Sequence, residues 1–203
     1  MGDIETGLRW VVDPIDGTVN FTYGIPHACV SIALQRRLAK RNQYGDDYET
    51  VVGAVFDPFT DELWTAIRGQ AAKLNGKKIS VNDGGLREAL LSIGFAKDKK
   101  TMEYMMPYFS KLAPKIRKPR MMGSATLALT YVASGRFHGY IESKVNLWDI
   151  AAGGLIIECA GGEFWRMPRK KGDHTYAVIA SNGRIRKQIE RVCGPLDPDG
   201  VLN

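Results

Sequence analysis

The sequence predicts a layered α/β protein, and three observations point to it. Residues 1–80 hold short β-branched runs separated by turn signals, the pattern of an antiparallel meander. From Ala89 onward, apolar strand-like runs alternate with stretches of helical spacing, as in a sheet covered by helices. The 203 residues, 44% hydrophobic and 25% charged, suffice for one substantial core or two lobes sharing an interface.

Taken in order, "LRWVVD" (Leu8–Asp13) reads as a short buried strand ended by Pro14. "ACVSIALQRR" (Ala28–Arg37) is a second strand, rich in β-branched and small residues. The polar run 36–49 is a hairpin loop. "TVVGAVFDP" (Thr50–Pro58) and "DELWTAIRG" (Asp61–Gly69) return as strands. Asn75-Gly76 is a turn between two short strands in "AAKLNGKKISV" (Ala71–Val81). "ALLSIGF" (Ala89–Phe95) is a buried strand. Thr101–Ile116 has helical spacing, with Pro107 expected to kink or break it. In "GSATLALTYVASGR" (Gly123–Arg136), Ser124 caps a helix and Gly135 ends it. "FHGYIES" (Phe137–Ser143) alternates like a strand. Leu147–Phe164 is a second helix closed by Gly161-Gly162. "YAVIASN" (Tyr176–Asn182) is a final strand, and Gly183–Cys193 a final basic helix. Two lobes are expected, residues 1–86 and 87–195, with a tail at 196–203.

The net charge of +6 favours anionic partners such as phosphate esters, nucleic acid or membrane surfaces. Cys29, Cys159 and Cys193 have no metal-knuckle or redox spacing, which fits reduced thiols in the cytoplasm. No run of about 18 apolar residues is present, so no membrane helix is expected. The leading "MGDIET" has no signal-peptide pattern and matches a lipidation motif only loosely, through Thr6.

The chemistry concentrates in "RWVVDPIDGTVNF" (Arg9–Phe21). Asp13 ends a strand and Asp16 follows three residues later. Carboxylates this close repel and raise each other's pKa unless a cation sits between them. Hard oxygen donors suit Mg²⁺. Gly17 and Thr18 offer backbone N–H groups that form an anion site if they open a helical turn. Adjoining cation and anion sites are what metal-assisted phosphoryl transfer requires. Yet Asp-Pro and Asp-Gly are also favoured turn pairs, and those dipeptides alone fit a plain surface turn.

The whole string "DPIDGTVNF" resembles the metal-binding signature of the inositol monophosphatase family. A second signature, "LWDIAAGGLIIECAGG", lies downstream. "FDPFTDELWTAIRGQAAKLNGKKI", "MGSATLALTYVASGRFHGYIE" and "VIASN" are also similar, so the resemblance runs from about Arg9 to Arg186. It implies an αβαβα sandwich and a Mg²⁺-dependent, lithium-sensitive phosphomonoesterase acting on a small phosphorylated polyol, commonly as a homodimer. Histidinol phosphate, bisphosphorylated nucleotides and sugar phosphates are alternative substrates.

By this resemblance Asp13 bridges two metal ions. The Ile15 carbonyl and Asp16 serve one each, and Asp149 completes the second site. Asp149 also suits a simple helix cap. Gly17 and Thr18 hold phosphate, and the Thr18 hydroxyl orients the attacking water, so Asp13 and Thr18 form the catalytic set. Gly123, Ser124 and Ala125 contact substrate hydroxyls through their backbone. Glu142 accepts a bond from a ring hydroxyl, with a solvated strand-end glutamate as the alternative. Asn146 stands where several inositol phosphatases carry histidine.

The family pattern also begins with helices, a hairpin and a Gly-Glu-Glu motif that supplies a further metal ligand. Only twelve residues precede Asp13, and among them Glu5 lies too close to it to take that role. On this reading the metal site is impaired and the sheet exposes apolar surface, so either the chain is a fragment or an N-terminally truncated form, or a partner supplies the cover. The basic runs Lys115–Arg120 and Arg166–His174 suggest, as another function class, an RNA- or protein-binding regulatory relative. No nucleic-acid signature accompanies them, so solvated loop faces are expected. His27, His138 and His174 lack ligand spacing.

Overall fold

The computed structural model describes residues 7–42, 46–96, 98–169 and 173–199. Glu5, Thr6, Lys170, Lys171 and the end of the tail lie outside the described residues.

Six strands form the first sheet in sequence order: β1 (Leu8–Asp16), β2 (Cys29–Arg37), β3 (Tyr48–Asp57), β4 (Glu62–Ile67), β5 (Lys73–Leu74) and β6 (Lys77–Lys78). All neighbours run antiparallel, so the expected meander is present. One expectation is corrected. Pro14 does not end β1, which continues to Asp16. Asp13 pairs with Ser31 and Asp16 with Cys29, so β1 holds one residue more than β2 across that step. Proline has no N–H to give a ladder, and a bulge is where a strand tolerates it. Residues three apart on a regular strand face opposite ways. The extra residue restores the facing, and both Asp13 and Asp16 are buried.

The second sheet runs β10-β11-β9-β7-β8, built from β7 (Leu90–Ile93), β8 (Lys118–Arg120), β9 (Gly139–Asn146), β10 (Glu163–Pro168) and β11 (Thr175–Ser181). β7 is parallel to β8 and β9. β8 and β10 are its two edge strands. β8 falls in a run expected as a basic loop face. β10 joins Glu163 and Phe164, expected as the end of a helix that in fact stops at Cys159, to the start of the other basic run. Charge and proline at an edge disguise a strand because they are what keeps the edge from pairing further.

Among the described residues, five α-helices complete the structure: α1 (Thr18–Thr22), α2 (Lys99–Leu112), α3 (Ala125–Ala133), α4 (Leu147–Cys159) and α5 (Arg186–Cys193). α2 is not broken by Pro107. That residue is on the exposed face, while Met105, Tyr108 and Leu112 bury the other, so packing carries the helix past one lost bond. α3 and α4 lie between the sheets in a core holding Trp64 and Val55 from the first and Tyr140, Phe164 and Val178 from the second. α2 and α5 cover the far face of the second sheet around Leu91, Ile93, Ile141 and Ile179. The described layers are thus sheet, helices, sheet, helices. The outer face of the first sheet exposes Leu8, Trp10, Val12, Ile32, Phe56, Leu63 and Ile67. None of the described helices is long and apolar enough to cross a membrane.

α4 approaches the first sheet closely at Gly53, where an added Cβ would lie 3.0 Å from the Ala152 carbonyl oxygen. Gly53→Val is therefore expected to cost about 1–3 kcal/mol by overpacking, read as a lower urea midpoint. An unchanged midpoint would refute the close contact.

Candidate active site

The β1 bulge leads directly into the turn that opens α1. Gly17 has φ 87°, and a Cβ there would lie 2.8 Å from the His27 carbonyl oxygen, so only glycine fits. Within the loop, the Ile15 N–H donates to Asp13 Oδ1 (3.0 Å) and the Thr18 hydroxyl donates to the Ile15 carbonyl (2.8 Å). Asn20, which the sequence reading passed over, donates through Nδ2 to the carbonyls of His27 (2.9 Å) and Met122 (2.8 Å). That ties the loop to the chain entering α3.

Asp16 Oδ2 accepts from the Ser124 hydroxyl and from the Thr126 N–H (2.8 Å). Ser124 is also the expected cap of α3, accepting from the Leu127 N–H at 3.1 Å. Asp149 Oδ2 accepts from the Asn146 N–H (2.9 Å) and from Asn146 Nδ2 (3.2 Å), so the helix-cap reading holds for that oxygen. The Thr126 hydroxyl donates to the Asp149 carbonyl at 2.7 Å, joining α3 to α4.

These ties bring one carboxylate oxygen each of Asp13, Asp16 and Asp149 within 4.8 Å of one another. Among the described residues, none of the three pairs with a basic side chain. Burial pushes the Asp16 carboxyl up, and the charge of Asp13 adds to it against the Ser124 and Thr126 bonds. Burial, then the charges of Asp16 and Asp13, push Asp149 up to about 7. Hard, crowded, partly desolvated oxygens with no internal cation suit a small divalent ion. Ser124→Ala removes both a cap and an Asp16 partner. It is expected to cost about 1–2 kcal/mol and to weaken binding of a divalent ion about tenfold, read by denaturation and calorimetry.

A cavity of about 470 Å³ opens beside the triad. Asp16, Gly123, Ser124, Ala125, Glu142 and Asp149 all line it, while Asp13, Ile15, Gly17 and Thr18 sit on the loop that carries Asp16. Glu142 is not the solvated strand-end glutamate of the alternative reading. It is largely shielded, and its carboxylate accepts the Tyr140 hydroxyl. Burial pushes it up to about 7, the Tyr140 bond opposing. The basic runs divide. Arg166 and Arg169 are paired with Asp46 and Asp199, whereas Lys115, Arg117, Lys118 and Arg120 are exposed.

A two-sheet α/β sandwich with an acidic triad beside a cavity suits a metal-dependent enzyme. The model of the inositol monophosphatase family matches residues 3–193, and the chain belongs to that family of phosphatases. It is 40% identical over 191 residues to the Nus factor SuhB of Pasteurella multocida, an alignment spanning 91% of this chain and 67% of the relative. To the inositol-1-monophosphatase of Rhizobium meliloti it is 38% identical over 192 residues, spanning 91% and 66%. The inositol monophosphatase structure from Anabaena superposes with a TM-score of 0.83 at 33% identity, covering 98% of this chain and 76% of that one. The chain thus spans about two thirds of the length of these curated relatives.

Proposed function

We propose that this chain is a Mg²⁺-dependent phosphomonoesterase acting on inositol monophosphate. The observation that carries the reading is the carboxylate triad within 4.8 Å, set beside a cavity. Asp13, Asp16, Asp149 and the Ile15 carbonyl would hold the metal, which when bound polarises phosphoryl oxygens and lowers the pKa of water. The first N–H groups of α1, at Gly17 and Thr18, have no intrahelical partner and suit phosphate oxygens. The Thr18 hydrogen is committed to the Ile15 carbonyl, so its hydroxyl oxygen remains an acceptor that orients a water. Gly123, Ser124, Ala125 and Glu142 face the polyol. On the same reading the protein is lithium-sensitive, cytoplasmic and a homodimer, with lobes at residues 1–86 and 87–195 that follow the two sheets.

The test is phosphate release from inositol monophosphate with and without Mg²⁺. Turnover that ignores Mg²⁺ and EDTA would refute the reading. A second reading, a regulatory binding role, is supported by the relatives named Nus factor SuhB. Salt-dependent RNA binding without any phosphate release would favour it.

A further inference from the structure

Glu142 is held from two sides by residues that the phosphatase reading does not use. Tyr140, two residues earlier on β9, is 2% exposed, and its hydroxyl donates to Glu142 Oε2 at 2.5 Å. Opposite, at the end of β7, Gly94 leaves the space that Glu142 fills. A Cβ on Gly94 would lie 1.7 Å from the same Oε2. Gly94, Tyr140 and Glu142 all line the 470 Å³ cavity that also contains Asp16 and Asp149. One carboxylate oxygen is therefore fixed by a rigid phenol against a bare backbone. Oε1 remains as the acceptor for a group entering the cavity.

We propose that Tyr140 is a positioning residue that, with Gly94, aims Glu142 at a substrate hydroxyl, so that the site selects hydroxylated monophosphates over esters without hydroxyls. A carboxylate beside two further carboxylates repels a second anionic group and accepts a hydrogen-bond donor, and on the polyol reading that donor is a ring hydroxyl. The Tyr140 bond favours the ionised, accepting form of Glu142 against the burial that opposes it. A freely rotating glutamate would lose side-chain freedom on binding, and the preset rotamer avoids that loss.

The inference rests on the phosphatase reading, and its test separates the two. Calorimetry with the 203-residue chain and Mg²⁺ compares inositol 1-phosphate, cyclohexyl phosphate and inorganic phosphate. The parent chain is expected to prefer the inositol ester to the cyclohexyl ester. Tyr140→Phe is expected to cut that preference about tenfold, the share of one hydrogen bond to a charged group, with inorganic phosphate affinity held within about twofold. Glu142→Gln should cut the preference for the inositol ester by as much, and the double variant should cut it no further, because Tyr140 acts through Glu142. Additive losses, or an unchanged preference in Tyr140→Phe, would overturn the inference alone. Binding of none of the three probes would overturn the phosphatase reading and the inference with it. Should Tyr140→Phe not fold, Gly94→Ala carries the same measurement. Its added methyl would overlap the Glu142 side chain from Oε2 to Cγ, so that side chain must swing aside and loses its aim.

Discussion

Replacing Asp13 with asparagine is expected to lower Mg²⁺-dependent phosphate release more than about 100-fold and to remove the corresponding heat of Mg²⁺ binding. Partners that merely orient a metal ligand are worth roughly 10–100-fold, so a ligand itself should exceed that range. The substitution is nearly isosteric. An asparagine side chain keeps the oxygen that accepts the Ile15 N–H, so the loop geometry survives while one negative charge is lost. Asp13 stands at the strand side of the bulge, within 4.8 Å of the oxygens of Asp16 and Asp149, and among the described residues no basic side chain shares the work. The variant should therefore melt in EDTA at or slightly above the parent, since a repelling charge has gone. That combination of lost activity and retained fold separates a ligand from a structural acid. Release within about threefold of the parent would place the metal elsewhere, because a lost ligand should cost far more.

Much of this site was legible because its residues are contiguous. Asp13, Ile15, Asp16, Gly17 and Thr18 fall in six positions, so one unbroken string carries the family resemblance, although their spacing alone also fits a surface turn. The first sheet was legible for a similar reason: its strands pair in sequence order, and those from β3 to β6 are joined by short connections. What stayed hidden depends on contacts across the chain. Asp16 meets the Thr126 N–H across 110 residues, and no local pattern marks Thr126 as its partner. Asn20 bridges to Met122 across 102 residues. Gly94 gave no signal, because a glycine after a strand looks like a turn unless the side chain filling its space is known. Pro14 misled for the opposite reason. Proline usually stops a strand, but here the antiparallel partner accommodates it in a bulge, and that bulge is what aims both acids the same way.

The metal-free protein is expected to lose stability as pH rises from about 5 to 7, by on the order of 3 kcal/mol. The sign follows from three raised carboxyls. Asp149 and Glu142 are each pushed to about 7 by burial first and by neighbouring charge second, and Asp16 is raised for the same reasons. Between the unfolded carboxylate range near 4 and the folded value near 7, the native state holds protons that the unfolded chain has released. Stability then falls with each step up in pH and levels off above about 7. The three acids share one field, so their effects overlap rather than add. Asp98, drawn down to about 2 chiefly by its Thr101 bonds, has the opposite sign but acts only below about pH 4, outside this window. Mg²⁺ should invert the slope. An ion among the carboxylates favours their ionised forms, so binding releases protons and strengthens as pH rises. Urea melts at about pH 5, 6, 7 and 8, run in EDTA and in excess Mg²⁺, would show two curves that diverge upward in pH. Parallel curves, or a flat one in EDTA, would mean that the three acids are neither desolvated nor gathered around a cation.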